Sequence, residues 1–327
     1  LLAGLGASFV PLTARAAPFV VRFGWAITPA QFLPLIFANT GILKNYGKSY
    51  TAEAYYFKGS APQITALAAG ELEIAALAFS SFGLAIQNAH MADIRVVGDL
   101  YQDGVPGFYS SQYVVRADGP IKTIEDLKGK TIATNGLGGA VDMAMREMLR
   151  KHGLEDKRDY KVIEVEFPNM AAMLGEQKVD MAGMVAPFSL TEVKAGRVRS
   201  LFSIADAMGV AQTTLLAARA PVIAAHRAAF VDFFEDVQIG TRWLLDRANR
   251  PAALALVSKV TKQPETNFAD WVFTGDDYFH DANVMPNVKA LQANLAVQKE
   301  LGFLKADIDV SKYTDLSLVE EAAKRHA

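Results

Sequence analysis

The stretch Thr134-Asn135-Gly136-Leu137-Gly138-Gly139-Ala140-Val141-Asp142 is the sequence's clearest means of holding an anion. Its glycines let successive amide N–H groups turn toward one point, and the amphipathic stretch that follows supplies a helix N-terminus worth about half a positive charge. An oxyanion can be held in this way without a cation. Asn135, Gly136, Gly138 and Gly139 are therefore candidate ligand contacts, although the same residues also suit a plain strand-to-helix turn. The spacing Gly136-x-Gly138-Gly139 does not match a dinucleotide-binding loop.

Other segments offer hydroxyl and amide donors beside small residues. Ala26 to Gln31, Lys58 to Gln63 and Phe79 to Gly83 each follow an extended run, which places Thr28, Gln31, Ser60, Phe79, Ser80 and Ser81 at carboxyl ends of strands, where open α/β sheets bind ligands. Taken singly, each Ser or Thr serves equally well as a helix cap. Met184 to Ser189 sits in the same relation to a later strand and contributes Pro187 and Phe188, the latter either stacking on a ligand or filling core. Gln112 lies where the chain is expected to cross between lobes, next to Tyr109 and Ser111. Trp25, Phe32, Phe79, Tyr109 and Phe188 are available for an apolar wall.

Catalytic patterns are missing from the sequence. His90, His152, His226, His280 and His326 make no i, i+4 pair, and neither His-Glu-x-x-His nor Gly-x-Ser-x-Gly occurs. There is no cysteine, which excludes thiolate chemistry, disulfides, iron–sulfur clusters and cysteine-based zinc sites. The acidic segment Asp276 to Asp281 lacks metal-ligand spacing and reads as a solvated turn, and Arg95 and Arg116 are candidate counter-ions, although Arg116, at the far end of its strand, reads as a surface charge. No cofactor or metal is expected.

The elements that must position these residues alternate. Strands are expected over Phe19 to Trp25, Thr51 to Phe57 and Ile74 to Ala78, with helices over Ala30 to Gly41 and Pro62 to Ala69 between them. A second series runs through strands Gln112 to Arg116, Lys130 to Thr134, Lys161 to Glu166 and Met181 to Val185, with helices Thr123 to Leu127, Ala140 to His152 and Asn169 to Gln177. After Pro221 long amphipathic helices take over: Val222 to Ala248, Pro251 to Val260, Pro286 to Leu301 and Leu316 to Arg325. Helices without strands of their own return to cover the first unit. The expected organisation is a first lobe of residues 17–110 and 213–327, with residues 111–212 inserted as a second lobe, each a mostly parallel sheet flanked by helices. Two chain crossings make a hinge with a cleft between the lobes.

The chain's 327 residues allow one large or two modest domains, and 51% apolar residues are enough for a substantial core. Its net charge of −2 gives no electrostatic footprint for nucleic acid or anionic membrane. Leu1 to Leu12 form an apolar run too short for the roughly 20 residues a membrane span needs. It ends at Ala14-Arg15-Ala16, a small-x-small site, so residues 1–16 read as the remnant of a signal peptide and the mature protein as exported and not membrane-embedded.

Three segments carry a resemblance: Gly70-Glu71-Leu72-Glu73-Ile74-Ala75 after Ala66 to Ala69, Ile121 through Gly129-Lys130 to Ala133, and Val179-Asp180-Met181-Ala182 before Pro187. Together they resemble the periplasmic solute-binding proteins of ABC importers, in particular the nitrate, sulfonate and taurine group that also includes thiamine-pyrimidine binders. The resemblance implies a two-lobed, hinged α/β clamp of the type II kind, acting as a monomer in the periplasm. It also implies a small anionic ligand, sulfonate or taurine-like or an aromatic carboxylate, passed to ABC permease and ATPase partners. An enzyme on the same fold, acting on a pyrimidine or menaquinone precursor, is the alternative. The fungal-type pyrimidine synthases of this resemblance carry a cysteine cluster that this chain lacks.

Overall fold

The computed structural model describes residues 17–326, so the expected signal-peptide remnant lies outside the described residues. Ten strands and twelve α-helices follow one another. The first part holds β1 (Phe19–Trp25), α1 (Leu33–Phe37), β2 (Tyr50–Tyr56), α2 (Ser60–Ala68), β3 (Ala75–Ala78), α3 (Phe79–Asn88) and β4 (Ile94–Asp103). Next come β5 (Gln112–Arg116), β6 (Thr131–Thr134), α4 (Ala140–Lys151), β7 (Lys161–Glu164), α5 (Phe167–Gly175), β8 (Met181–Met184), α6 (Phe188–Lys194), β9 (Val198–Ser203) and α7 (Ile204–Met208). The chain then returns through β10 (Ala211–Arg219) to α8 (Ala220–Ala225), α9 (Arg227–Leu245), α10 (Arg250–Thr261), α11 (Val288–Glu300) and α12 (Ser317–Lys324).

Two mixed sheets result. In one, β1 pairs in parallel with β2 along its whole length and touches β3 through a parallel bridge at Phe23 and Ile74, while β10 lies antiparallel between β3 and β4. The other has the order β7-β6-β8-β5-β9, with β5 antiparallel to both of its neighbours. Each sheet thus contains one reversed strand. In both cases it is the strand that enters directly from the other lobe, β5 after β4 and β10 after β9 and α7. The remaining strands of each sheet run parallel to one another, and the strand that starts at the crossing runs the opposite way.

Several expected elements are redrawn. Pro34, tolerated only in a first helical turn, starts α1 late, and the helix expected over Ala30 to Gly41 shrinks to Leu33–Phe37 and a separate turn. The long helix expected over Val222 to Ala248 breaks at His226, which closes α8, precedes α9 and stacks its ring on Phe19 at 3.8 Å. β4, β9, β10, α3, α6 and α7 have no counterpart among the expected elements. β10 is buried over eight of its nine residues, as a central strand covered on both faces should be, and such an apolar run has no alternation to betray it.

The Asp276–Asp281 segment is also not the solvated turn that its composition suggested. Asp277, Tyr278 and His280 are buried beside the strand crossings, where the Tyr278 hydroxyl meets that of Ser111 at 2.9 Å and the His280 Nδ1 meets the Leu100 carbonyl at 2.7 Å. Burial pushes the Asp277 carboxyl up to about 7 and the His280 imidazole down to about 3.

Candidate functional site

A cleft of about 560 Å³ opens between the ends of strands from both sheets. One wall comes from the loop after β1, with Trp25, Ala26, Ile27 and Thr28, and the loop after β2, with Tyr56, Phe57, Lys58 and Gly59. The facing wall comes from Asn135 after β6, Glu166 to Pro168 after β7, and Pro187 and Phe188 after β8. Val260, Thr261, Gln263 and Phe268, from the end of α10 and just beyond, close one side. Six of these side chains are aromatic, while Lys58 and Glu166 are the only lining residues that carry a formal charge. Lys58 Nζ and a Glu166 carboxylate oxygen face each other at 3.6 Å. Trp25 and Tyr56 meet edge to face at 5.0 Å on their wall, and Phe167 lies parallel to Phe188 at 6.4 Å on the other. The Thr28 hydroxyl is enclosed and has no hydrogen-bond partner in the protein.

Of the residues singled out from sequence, Thr28, Asn135, Pro187 and Phe188 line this cleft. Trp25, named for the apolar wall, lines it too, whereas the others do not, and several of those have a structural occupation. The Gln31 side-chain carbonyl accepts the amides of Ala26 at 2.8 Å and Ile27 at 3.3 Å, shaping the loop from behind. The Ser60 hydroxyl accepts the amide of Ala78 at 3.0 Å and so ties the start of α2 to the end of β3. Phe79 is core, and the Ser80 carbonyl accepts the Gln298 amide at 2.8 Å. Ser81 is half-buried on α3, and Gln112 is half-buried at the start of β5.

The glycine loop also departs from expectation. Three of its amides are committed within the chain: Leu137 donates to the Glu164 carboxylate at 2.7 Å, Gly138 to Asp142 at 2.8 Å and Gly139 to the Gly136 carbonyl at 3.1 Å. Gly138 is needed for its backbone, with φ at +77°, and it faces Leu84 and Phe303 of the other lobe. Instead of a ligand, Ala140 and Met143 at the start of α4 meet Phe82, Leu291 and Leu295 in a shared apolar cluster. Gly138 thus packs at an interlobe contact, and Gly136, Gly138 and Gly139 are not among the residues lining the cleft.

The lobes touch elsewhere as well. The Tyr109 hydroxyl bonds that of Ser189, the Ala186 amide donates to the Tyr278 hydroxyl at 3.4 Å, and Arg150 pairs with Glu300 at 2.8 Å. At the crossing itself, Asp103 accepts from the Ser110 hydroxyl and, at 3.0 Å, from the Ser111 amide, and burial pushes its carboxyl up to about 6.

Residues 56–250, more than half of the chain, match the family described as NMT1/THI5 like. The chain belongs to the NMT1/THI5-like family. Solved structures share its fold. The alkanesulfonate-binding protein SsuA of Xanthomonas axonopodis pv. citri, bound to MOPS, is similar at 18% identity over 92% of this chain and 99% of its own, with a TM-score of 0.71. The periplasmic nitrate-binding protein NrtA of Synechocystis PCC 6803 is similar at 18% identity, over 94% and 89%, with a TM-score of 0.72. The desulfurization enzyme DSZB is similar at 13% identity, over 94% and 100%, with a TM-score of 0.66. The fold is thus the two-lobed one of periplasmic binding proteins.

Cleft residues that sequence reading missed include Tyr56 and Phe57 at the end of β2 and two further groups. Glu166, Phe167 and Pro168 follow a strand that was expected, so the rule applied to the other strand ends would have found them. Val260 to Phe268 reach the cleft from a helical region, and no local pattern announces that.

Proposed function

We propose that this NMT1/THI5-like chain is the solute-binding component of an ABC importer: an exported, monomeric, periplasmic protein that captures a small organic acid and presents it to a permease and its ATPase. The observation that carries this reading is the cleft itself. Its walls come from strand ends of two different lobes, so a ligand contacts both only when they meet, and this gives it the differential affinity that closure requires. Among the described residues no helix is long and apolar enough to cross a membrane, which suits such a role. The hinge we propose divides residues 17–110 and 213–327 from residues 111–212.

Six aromatic side chains around one lysine and one glutamate favour a ligand with an apolar, flat body and an acid group. That covers an aromatic carboxylate or a bulky sulfonate. Support comes from the similar proteins, one bound to MOPS and another solved with biphenyl-2-sulfinic acid. An enzyme on the same fold is the competing reading, because the desulfurization enzyme is among those structures. We favour binding, because the cleft pairs no hydroxyl nucleophile with a base: the Thr28 hydroxyl has no partner among the described residues, and Glu166 faces Lys58.

The test is a thermal-shift screen against aromatic and aliphatic sulfonates, aromatic carboxylates, nitrate and pyrimidines, with product analysis of every hit. A ligand at a hundred times its Kd stabilises the native state by about 2.7 kcal/mol. Stabilisation without turnover supports the binding role, and conversion of a hit to product replaces it with the enzyme reading.

A further inference from the structure

Lys58 and Glu166 have a relationship that the fold does not require. Lys58 follows β2 in one lobe and Glu166 follows β7 in the other, and their charged groups stand 3.6 Å apart across the cleft. Both side chains are solvent-exposed, at 81% and 69%, so the pair contributes little to holding the lobes together. Arg150 with Glu300 and Lys194 with Asp270 already bridge the lobes, and neither pair lines the cleft.

We propose that Lys58 selects the ligand's acid group and that Glu166 is its internal stand-in, holding the ammonium across the empty cleft until a ligand carboxylate or sulfonate takes its place. The inference rests on the reading of the cleft as the ligand site. The amides of Leu137, Gly138 and Gly139, which could have bound an oxyanion, are taken within the chain. Lys58 is then the single formal positive charge on the cleft wall. Exchanging one carboxylate for another at the same ammonium changes the Coulomb energy little, so the driving force comes from laying the ligand's ring against Trp25, Tyr56, Phe167 and Phe188. Enclosure then shields the new ion pair from solvent and makes it stronger than the exposed one it replaces. Glu166 meanwhile repels any acid that does not displace it, which filters out ligands too small to reach the aromatic faces.

The experiment uses calorimetric titration of the wild-type chain and of the Lys58→Met and Glu166→Gln variants. The probes are benzenesulfonate and benzoate, with the uncharged benzenesulfonamide and benzamide as controls, at low and high salt. Both positions are exposed, so both variants should fold, and circular dichroism checks this. The proposal expects wild type to bind an acid probe more tightly than its amide, Lys58→Met to lose roughly tenfold or more for the acid alone, and Glu166→Gln to gain roughly three- to tenfold. An acid affinity that neither variant changes overturns the exchange while leaving the solute-binding role intact. Weaker acid binding by Glu166→Gln also overturns it, because Glu166 would then be a ligand contact and not a competitor. Binding of no probe by any of the three proteins removes the aromatic-acid reading and the exchange together.

Discussion

The carboxylate of Asp142 accepts the amide N–H of Gly138 at 2.8 Å, closing the glycine loop with the chain's own acid. The same carboxylate takes the Arg146 guanidinium at 2.9 Å and is wholly buried, and burial pulls its pKa up against those two favourable contacts. The loop is therefore a structural joint between α4 and the opposite lobe. Asp142→Ala should cost about 2–4 kcal/mol in urea unfolding, because the buried Arg146 guanidinium loses one of its two carboxylate partners and keeps Asp156. Ligand affinity of the folded fraction should stay within about twofold. A large loss of affinity without loss of stability would return the loop to the binding site.

Ser60→Ala separates two roles that the sequence left open. With its hydroxyl spent on the Ala78 amide, its removal should lower stability by about 1 kcal/mol and leave binding unchanged. Chemical denaturation beside ligand titration measures both.

The aromatic walls should carry affinity. Phe188→Ala and Trp25→Ala should each weaken binding of an aromatic acid by roughly tenfold, with a smaller effect on a short aliphatic sulfonate. Trp25 is one of three tryptophans in the chain, so ligand entry should also change the intrinsic fluorescence, and Trp25→Phe should abolish most of that change.

Asp103 makes stability depend on pH in a defined direction. Its folded-state pKa of about 6 lies above the ordinary value of 3.8, so the native state binds the proton more tightly than the unfolded chain. The resulting stability is fully present below pH 3.8 and is lost as pH rises through about 6, a contribution of about 2–3 kcal/mol. Asp103→Asn should flatten the stability profile by that amount between pH 4 and 7, measured by urea unfolding at each pH. His280 acts in the opposite sense: its pKa of about 3 means that acidification from pH 6.5 downward destabilises the fold.

The Tyr109 and Ser189 hydroxyls bind each other across the lobes. Tyr109→Phe removes that bond and should bias the molecule toward separated lobes by about 1 kcal/mol. Small-angle scattering should then give a larger radius of gyration for the variant without ligand, and saturating ligand should reverse the difference. An unchanged radius would mean that the apolar contacts of α4 hold the lobes together by themselves.

Local chemistry made much of this protein legible before any coordinates. Alternating strands and helices, and the rule that ligands sit at the carboxyl ends of strands, are short-range properties of the chain. They led to the α/β class and to Thr28, Asn135, Pro187 and Phe188. What the sequence could not decide was partnership. Ser60, Gln31 and the glycine amides have the right groups for a ligand, but tertiary packing brings Ala78, Ala26 and Ile27, and Asp142 within hydrogen-bond reach of them first, and a donor or acceptor already satisfied is no longer available. The reversed strands β5 and β10, the burial of Asp277 and His280, and the meeting of Lys58 with Glu166, more than a hundred residues apart, belong to the same category. Residue types determine which interactions are possible. Only the folded chain determines which of the competing partners arrives.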